Sequence, residues 1–152
     1  MDFQVEIPFA RLLGLELLRW EPSLAVLALD IRPELANSWG VAHGGATMTL
    51  LDVALAHAAR SPRQEGGATS PGVATIEMKT TFLLPAQGRL VATARCLRRT
   101  ASLAFCEGSV ARADGQVAAH ATGTFKFLRA LPAGADGREL RRPGAAPPSS
   151  TS

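Results

Sequence analysis

The sequence of 152 residues contains no tyrosine, only two cysteines and no apolar run long enough to cross a bilayer. Aromatic residues make up 5% of the chain and charged residues 19%, whereas hydrophobic residues make up 47%, which is a globular composition. The first residues are acidic and lack the basic-then-apolar pattern of a secretory signal. These absences predict a cytoplasmic protein that does not bind a membrane.

Positive charge is in slight excess, with a formal net charge of +3, but no long basic run occurs. Without such a run, and without tyrosine side chains to stack on bases, we expect no nucleic-acid partner. The same small excess suits a smaller phosphorylated ligand.

The two cysteines, Cys96 and Cys106, lie in strand-like stretches on either side of a predicted hairpin centred near Ala101. Such a hairpin would place them opposite one another, so a disulfide is geometrically conceivable, but in a cytosolic chain we expect two buried thiols. The histidines show no spacing that matches the cysteines in a metal site, so we expect no metal. They are His43, His57 and His120.

Short apolar stretches punctuated by proline and glycine predict a strand-rich chain. A short helix is expected between Pro8, which suits a first turn, and Gly14, which suits a helix end. Asp114 and Gly115 are typical of a tight turn between the last two strands. The predicted strands span residues 15–20, 24–31, 74–84, 89–99, 102–113 and 116–130.

Residues 44–60 predict one long helix that is apolar on nearly every side and therefore has to be covered on most sides. Strands are the only material that can cover it. We therefore expect an α+β fold in which a curved antiparallel sheet wraps around one central helix. This domain is expected to span residues 1–132, and residues 133–152, rich in proline, glycine, alanine and serine, to form a disordered tail.

Asp52 is the one carboxylate in this helix, and its neighbours Leu51 and Val53 are apolar. A carboxylate is costly to bury without a partner. Asp52 is therefore either satisfied by nearby hydroxyls or exposed to solvent, or it is a functional group in an apolar setting. The apolar neighbours favour the functional interpretation.

Gly44 and Gly45 begin the helix directly after His43. Glycines at a helix start suit a tight turn, and they also leave backbone N–H groups open to a developing oxyanion. Gly44 and Asp52 are eight residues apart in the sequence, which is about 12 Å along a helix. If both act on one carbonyl, a two-fold dimer must bring Asp52 of one copy to Gly44 of the other.

The sequence resembles the hotdog-fold thioesterase superfamily, in particular its phenylacetate-degradation type. The resemblance rests on Asn37, the HGG of residues 43–45 and the TLLD that ends at Asp52. It continues through MKTTFLLPAQGRLVATA and DGQVAAHATGTFKF and covers residues 10–128. It implies the hotdog fold and the hydrolysis of acyl-CoA thioesters to free acid and coenzyme A, without a metal or cofactor.

The resemblance also implies a role for each candidate catalytic residue. The Gly44 amide would polarise the thioester carbonyl, and Asp52 of the other subunit would act as nucleophile or general base. Asn37 would orient a water or the carbonyl, and His43 would brace the loop or contact the thioester sulfur. Thr75 would hydrogen-bond the attacking water. The partners would be acyl-CoA and a second copy of the chain, in a homodimer or a dimer of dimers.

Substrate-binding residues are expected next to this site. Apolar side chains would accept an aromatic or an aliphatic acyl group, and the basic residues would hold the phosphates of coenzyme A. Arg98, Arg99 and Lys126 equally suit solvated strand ends. The predicted substrate-binding residues are Gly45, Leu51, Leu55, Phe82, Arg98 and Arg99.

Three other functions fit the same pattern. The first is a non-catalytic acyl-CoA binding or sensing protein, although the sequence contains no second module such as a DNA-binding helix pair. The second is a dehydratase or hydratase, whose histidine and acid lie in a different pattern, and the third is a structural oligomerisation domain. For His57 we expect a core or interface position, and for His120 an exposed one.

Overall fold

The computed structural model describes residues 3, 6–61 and 72–128. The predicted tail over residues 133–152 lies outside this part of the chain. No helix in the described part is both long enough and apolar enough to cross a membrane. In chain order the elements are α1 (Pro8–Leu13), β1 (Glu16–Glu21), β2 (Leu24–Asp30), a short 3-10 helix (Pro33–Leu35), α2 (Gly44–Arg60), β3 (Gly72–Phe82), β4 (Arg89–Arg99), β5 (Leu103–Ala111) and β6 (Val117–Leu128).

The six strands form one sheet in the order β1-β2-β4-β5-β6-β3, and each strand is antiparallel to its neighbour. Helix α2 contacts all six strands and places ten of its 17 residues in the buried core. Leu50, Leu51 and Leu55 of this helix have no exposed surface. The predicted α+β arrangement of one long helix covered by an antiparallel sheet is therefore confirmed.

The predicted helix and turn boundaries are confirmed. Pro8 begins α1, and Gly14 ends it in the left-handed conformation, with φ of 82°. Gly115 adopts the same φ in the turn between β5 and β6. Strand β3 ends two residues before the predicted limit because the backbone N–H groups of Leu83 and Leu84 both donate to the Ala118 carbonyl, at 2.8 and 3.1 Å.

Strand β3 is an edge strand, and its side chains depart from the expected alternation. The register shifts between Thr75 and Glu77, so Ile76 is an extra residue in the strand. Ile76 and Phe82 are 56% and 52% exposed. The sequence pattern missed this because a bulge changes which face each residue occupies without changing the residues themselves.

The predicted hairpin between β4 and β5 is confirmed, and it places Cys96 directly opposite Cys106. Both cysteines are free thiols. Cys106 is buried as expected, whereas Cys96 is only half-buried.

His57 lies in the core beneath the sheet, as expected, and is 3% exposed. Its Nδ1 lies 2.7 Å from the Val53 carbonyl oxygen, so Nδ1 carries the proton and donates. Its ring packs edge-on against Phe3 and Trp20, and the Trp20 indole donates to the His57 carbonyl at 2.8 Å. Burial lowers the pKa of His57 to about 4.

Arg99 closes the C-terminal end of α2. Its guanidinium donates to the carbonyls of Ala58 and Ala59, at 2.6 and 2.9 Å, and to the hydroxyls of Ser23 and Ser61, both at 2.6 Å. A cation at this position satisfies carbonyls that have no partner within the helix and complements the helix dipole. Arg99 therefore joins β4 to the end of the helix.

The buried His57 predicts a loss of stability in acid. Its pKa is lowered from 6.5 to about 4 in the folded chain, so between these values the unfolded chain binds a proton that the folded chain does not. The free energy of unfolding should therefore fall as the pH is lowered through this window, by up to about 1.4 kcal/mol per pH unit from this residue. In urea unfolding, His57→Gln should show a shallower pH slope, whereas His120→Gln, at an exposed position, should keep the slope of the unaltered chain.

The hydrogen bonds from Arg99 to the end of α2, which we call the Arg99 clasp, predict that Arg98 and Arg99 contribute differently to the free energy of unfolding. Arg99→Gln should lower the free energy of unfolding by about 1–2 kcal/mol, because charged hydrogen bonds to the helix end are lost. The Arg98 guanidinium is exposed and makes no hydrogen bond to a described residue, whereas the Arg98 backbone carbonyl accepts one from the Cys96 thiol. Arg98→Gln should therefore change the free energy by less than about 0.5 kcal/mol. Urea unfolding of both variants measures the difference, and equal losses would contradict the clasp.

Candidate active site

The start of α2 leaves one backbone donor open. The His43 side chain folds back so that its Nδ1 accepts from the Gly45 N–H at 2.9 Å, and the His43 carbonyl accepts from Ala46 and Thr47 at 3.0 and 3.2 Å. The Gly44 N–H donates to no described residue. It lies at the positive end of a 17-residue helix, which suits an anion or a polarised carbonyl oxygen.

Both glycines at this point have a ring close to where a Cβ would lie. A Cβ on Gly44 would lie 3.3 Å from Cζ of Phe82, whose ring lies against the helix start. A Cβ on Gly45 would lie 3.1 Å from Nδ1 of His43 and would disturb the histidine cap. A side chain at either position would therefore displace a neighbouring ring.

Asn37 organises the loop that precedes α2. Its Oδ1 accepts from the backbone N–H groups of Trp39 and Val41, at 2.9 and 3.4 Å, and its own backbone N–H donates to the Val41 carbonyl at 2.8 Å. Its side-chain NH₂ group donates to no described residue. Asn37 therefore fixes the loop with its oxygen and leaves its amide donors without a partner among the described residues.

Asn37, Gly44 and Phe82 line one open cleft of about 400 Å³, which we call the glycine cleft. Its apolar wall includes Trp39 and Leu83, which are 85% and 55% exposed. Neither of these two residues was predicted for the site. The only signal in the sequence is a tryptophan within a polar loop and a row of apolar residues running past the end of a strand.

Asp52 lies in a different cleft. Its side chain is half-buried, and its Oδ1 accepts a hydrogen bond from the Thr75 hydroxyl at 2.7 Å. Together with His57 and Arg60, the two residues line a cleft of about 290 Å³. We call it the carboxylate cleft. Asp52 is therefore partnered by a nearby hydroxyl, which is one of the alternatives that the sequence left open. Its other oxygen, Oδ2, has no hydrogen-bond partner among the described residues.

The two clefts share no residue. Asn37, Gly44 and Phe82 are brought together at the start of α2, and Asp52 and Thr75 lie two turns further along the same helix. The single chain therefore keeps the predicted carbonyl-binding group apart from the predicted carboxylate.

Four of the predicted substrate-binding residues have other positions. Leu51 and Leu55 are fully buried in the core and line neither cleft. The Gly45 N–H is already bonded to His43, and the guanidinium of Arg99 is occupied by the end of α2. The contacts of Arg99 are long-range and have no signature in the local sequence. Phe82 lines the glycine cleft, and Arg98 is exposed at the end of β4.

Comparison with known proteins identifies the family. The profile of the thioesterase superfamily matches residues 40–119 of this chain. The medium/long-chain acyl-CoA thioesterase YigI from Salmonella typhimurium is 30% identical over 135 residues, which are 81% of this chain and 87% of the relative.

Solved structures show the same fold. The conserved protein PA5202 from Pseudomonas aeruginosa superimposes with a TM-score of 0.74 at 27% identity, over 82% of this chain and 97% of the other. A variant of the phenylacetic acid degradation protein PaaI from Thermus thermophilus superimposes with a TM-score of 0.70, also at 27% identity, over 80% of this chain and all of the other. The chain therefore belongs to the thioesterase superfamily and has its hotdog fold, as the sequence predicted.

Proposed function

We propose that this chain is an acyl-CoA thioesterase whose catalytic carboxylate is Asp52 and whose site is completed by a second copy of the chain. The observation that carries this proposal is the separation of the two clefts. One cleft offers an open N–H, that of Gly44, and the other offers a carboxylate held by Thr75, but neither has both. A two-fold dimer can combine the glycine cleft of one copy with the carboxylate cleft of its partner.

Strand β3 supports this arrangement because it contributes to both clefts. Thr75 lies near its beginning and lines the carboxylate cleft, and Phe82 ends it and lines the glycine cleft. β3 is also an edge strand with exposed apolar side chains, Ile76 among them. An uncovered edge of this kind is a natural contact surface for a second copy.

The proposed chemistry uses only groups of the chain. The Gly44 N–H and the Asn37 amide bind the thioester carbonyl oxygen and stabilise the negative charge that develops there. Thr75 holds Oδ1 of Asp52, so Oδ2 takes the proton of the water that attacks the carbonyl carbon. The tetrahedral intermediate then collapses, the carbon–sulfur bond breaks, and coenzyme A leaves as a thiolate that is protonated. In the alternative route Oδ2 itself bonds to the carbonyl carbon, the carbon–sulfur bond breaks to release coenzyme A, and water then hydrolyses the mixed anhydride that has formed on Asp52.

For the acyl group we propose the medium and long chains named for the YigI relative. The glycine cleft supports this choice, because Trp39, Phe82 and Leu83 give it an exposed apolar wall. Apolar surface of this kind is stabilised when an alkyl chain covers it. Arg98 is exposed and free to contact a coenzyme A phosphate.

Asp52→Asn tests the role of the carboxylate. Asparagine keeps an acceptor for the Thr75 hydroxyl but cannot take a proton, so we expect kcat to fall by about 10²–10⁴-fold with the fold unchanged. The measurement is thiol release from phenylacetyl, hydroxybenzoyl and short, medium and long aliphatic acyl-CoA, with circular dichroism and gel filtration as controls. Tight acyl-CoA binding by both forms without turnover would instead support a non-catalytic binding protein.

Mixed dimers test whether the site is shared. Gly44→Val should block the glycine cleft, and Asp52→Asn should disable the carboxylate cleft, so each variant alone should be inactive. If the site is composite, refolding the two variants together gives mixed dimers with one intact site each, and activity should return. Asp52→Asn mixed with Asp52→Ala is the matched control and should stay inactive. No recovery in the first mixture, with mixed dimers demonstrated by mass, would contradict a shared site.

A further inference from the structure

The two thiols of the β4–β5 hairpin are not used by the proposed chemistry. Cys96 and Cys106 are register partners on neighbouring antiparallel strands. Both lie on the side of the sheet that faces the core, where Ala94 and Ala104 beside them are fully buried. Their side chains therefore project in the same direction from adjacent strands.

The backbone shows which kind of pair they form. The Cys96 N–H donates to the Ser23 carbonyl at 2.9 Å, on the side of β4 away from β5. The N–H and C=O of one strand residue point to the same side, so Cys96 and Cys106 are a non-hydrogen-bonded pair. The Cα atoms of such a pair are about 4.5 Å apart, within the range of about 4.4–6.8 Å that disulfides span.

The two thiols differ in their surroundings, and the Cys96 thiol donates to the Arg98 carbonyl at 3.5 Å. Burial, together with the charge and hydrogen bond of the Cys96 thiol, raises the pKa of Cys106 to about 12. Cys96 is half-buried, whereas Cys106 is 2% exposed. An oxidant in solution therefore reaches Cys96 first, and Cys106 lies next to it.

We propose that Cys96 and Cys106 form a modification site, at which an oxidant of the peroxide class converts two thiols reversibly into a disulfide. The Cys96 thiolate attacks a peroxide oxygen, the O–O bond breaks, and with one proton a sulfenic acid and one water form. The Cys106 thiol then attacks the Cys96 sulfur, the S–O bond breaks, and a second water leaves with the Cys106 proton. Two thiols and one hydrogen peroxide thus give one disulfide and two waters.

The disulfide would tie the hairpin near the end of α2. Arg99, three residues after Cys96 on the same strand, holds the carbonyls of Ala58 and Ala59 at the helix end. A cross-link between β4 and β5 restricts the unfolded chain and therefore stabilises the folded one. We expect the oxidised protein to unfold at a temperature higher by roughly 5 °C, and a thiol reductant to reverse the shift.

The test is peptide mapping of the full chain after hydrogen peroxide treatment and alkylation without reduction. Trypsin cleaves after Arg95, Arg98, Arg99 and Arg112, so the two cysteines fall in separate peptides, residues 96–98 and 100–112. We expect these peptides joined, with a mass lower by two hydrogens than their sum, and separated by reduction.

Cys96→Ser and Cys106→Ala are the matched controls, and neither should form the joined peptide or show the shift in unfolding temperature. A sulfinic acid on Cys96, a disulfide between two copies, or two unreacted thiols in the folded unaltered chain would each overturn the proposal. None of these readouts depends on thioester hydrolysis, so the result is independent of the proposed function.

Discussion

The structure depends on one constraint, which is that a helix with apolar side chains on nearly every side has to be removed from water. Ten of the 17 residues of α2 are buried, and all six strands contact it. Because water cannot satisfy polar groups beneath the sheet, each one needs a specific partner there. His57 donates to Val53 and Arg99 closes the helix end for this reason. The Gly44 N–H and Oδ2 of Asp52, which have no hydrogen-bond partner among the described residues, lie where the covering stops.

Two such places exist along α2, and they hold complementary chemical groups. At its beginning the Gly44 N–H stays open in a cleft that the Phe82 ring also lines, and a Cβ at this position would lie 3.3 Å from that ring. Midway along, the carboxylate of Asp52 reaches the edge strand and is held by Thr75. A donor that stabilises negative charge and a base that accepts a proton are what thioester hydrolysis requires. The fold that buries the helix also keeps these two groups apart.

The sequence predicted the parts of this arrangement that depend on local pattern. The limits of α2 follow from HGG before an apolar run, and the β4–β5 hairpin follows from alternating residues around a polar turn. The resemblance implied that Thr75 bonds the attacking water, but its contact with Asp52 was not predicted, because 23 residues separate the two in the sequence. The Arg99 clasp could not be predicted, since its partners are about 40 positions away and any exposed arginine looks the same in sequence. The bulge at Ile76 was missed because it leaves residue composition unchanged.

Strand β3 explains why a single chain looks incomplete. Its bulge lies between Thr75 and Glu77, so the register that brings Thr75 to Asp52 also leaves Ile76 exposed at the edge of the sheet. In a strand without the bulge, side chains would alternate strictly between the two faces of the sheet. Such a strand could not place both Thr75 and the residues after it on the faces that they occupy here. The bulge therefore places the exposed apolar edge beside the residue that holds Asp52. Covering that edge with a second copy would bury the apolar side chains and add the missing half of the site in the same step.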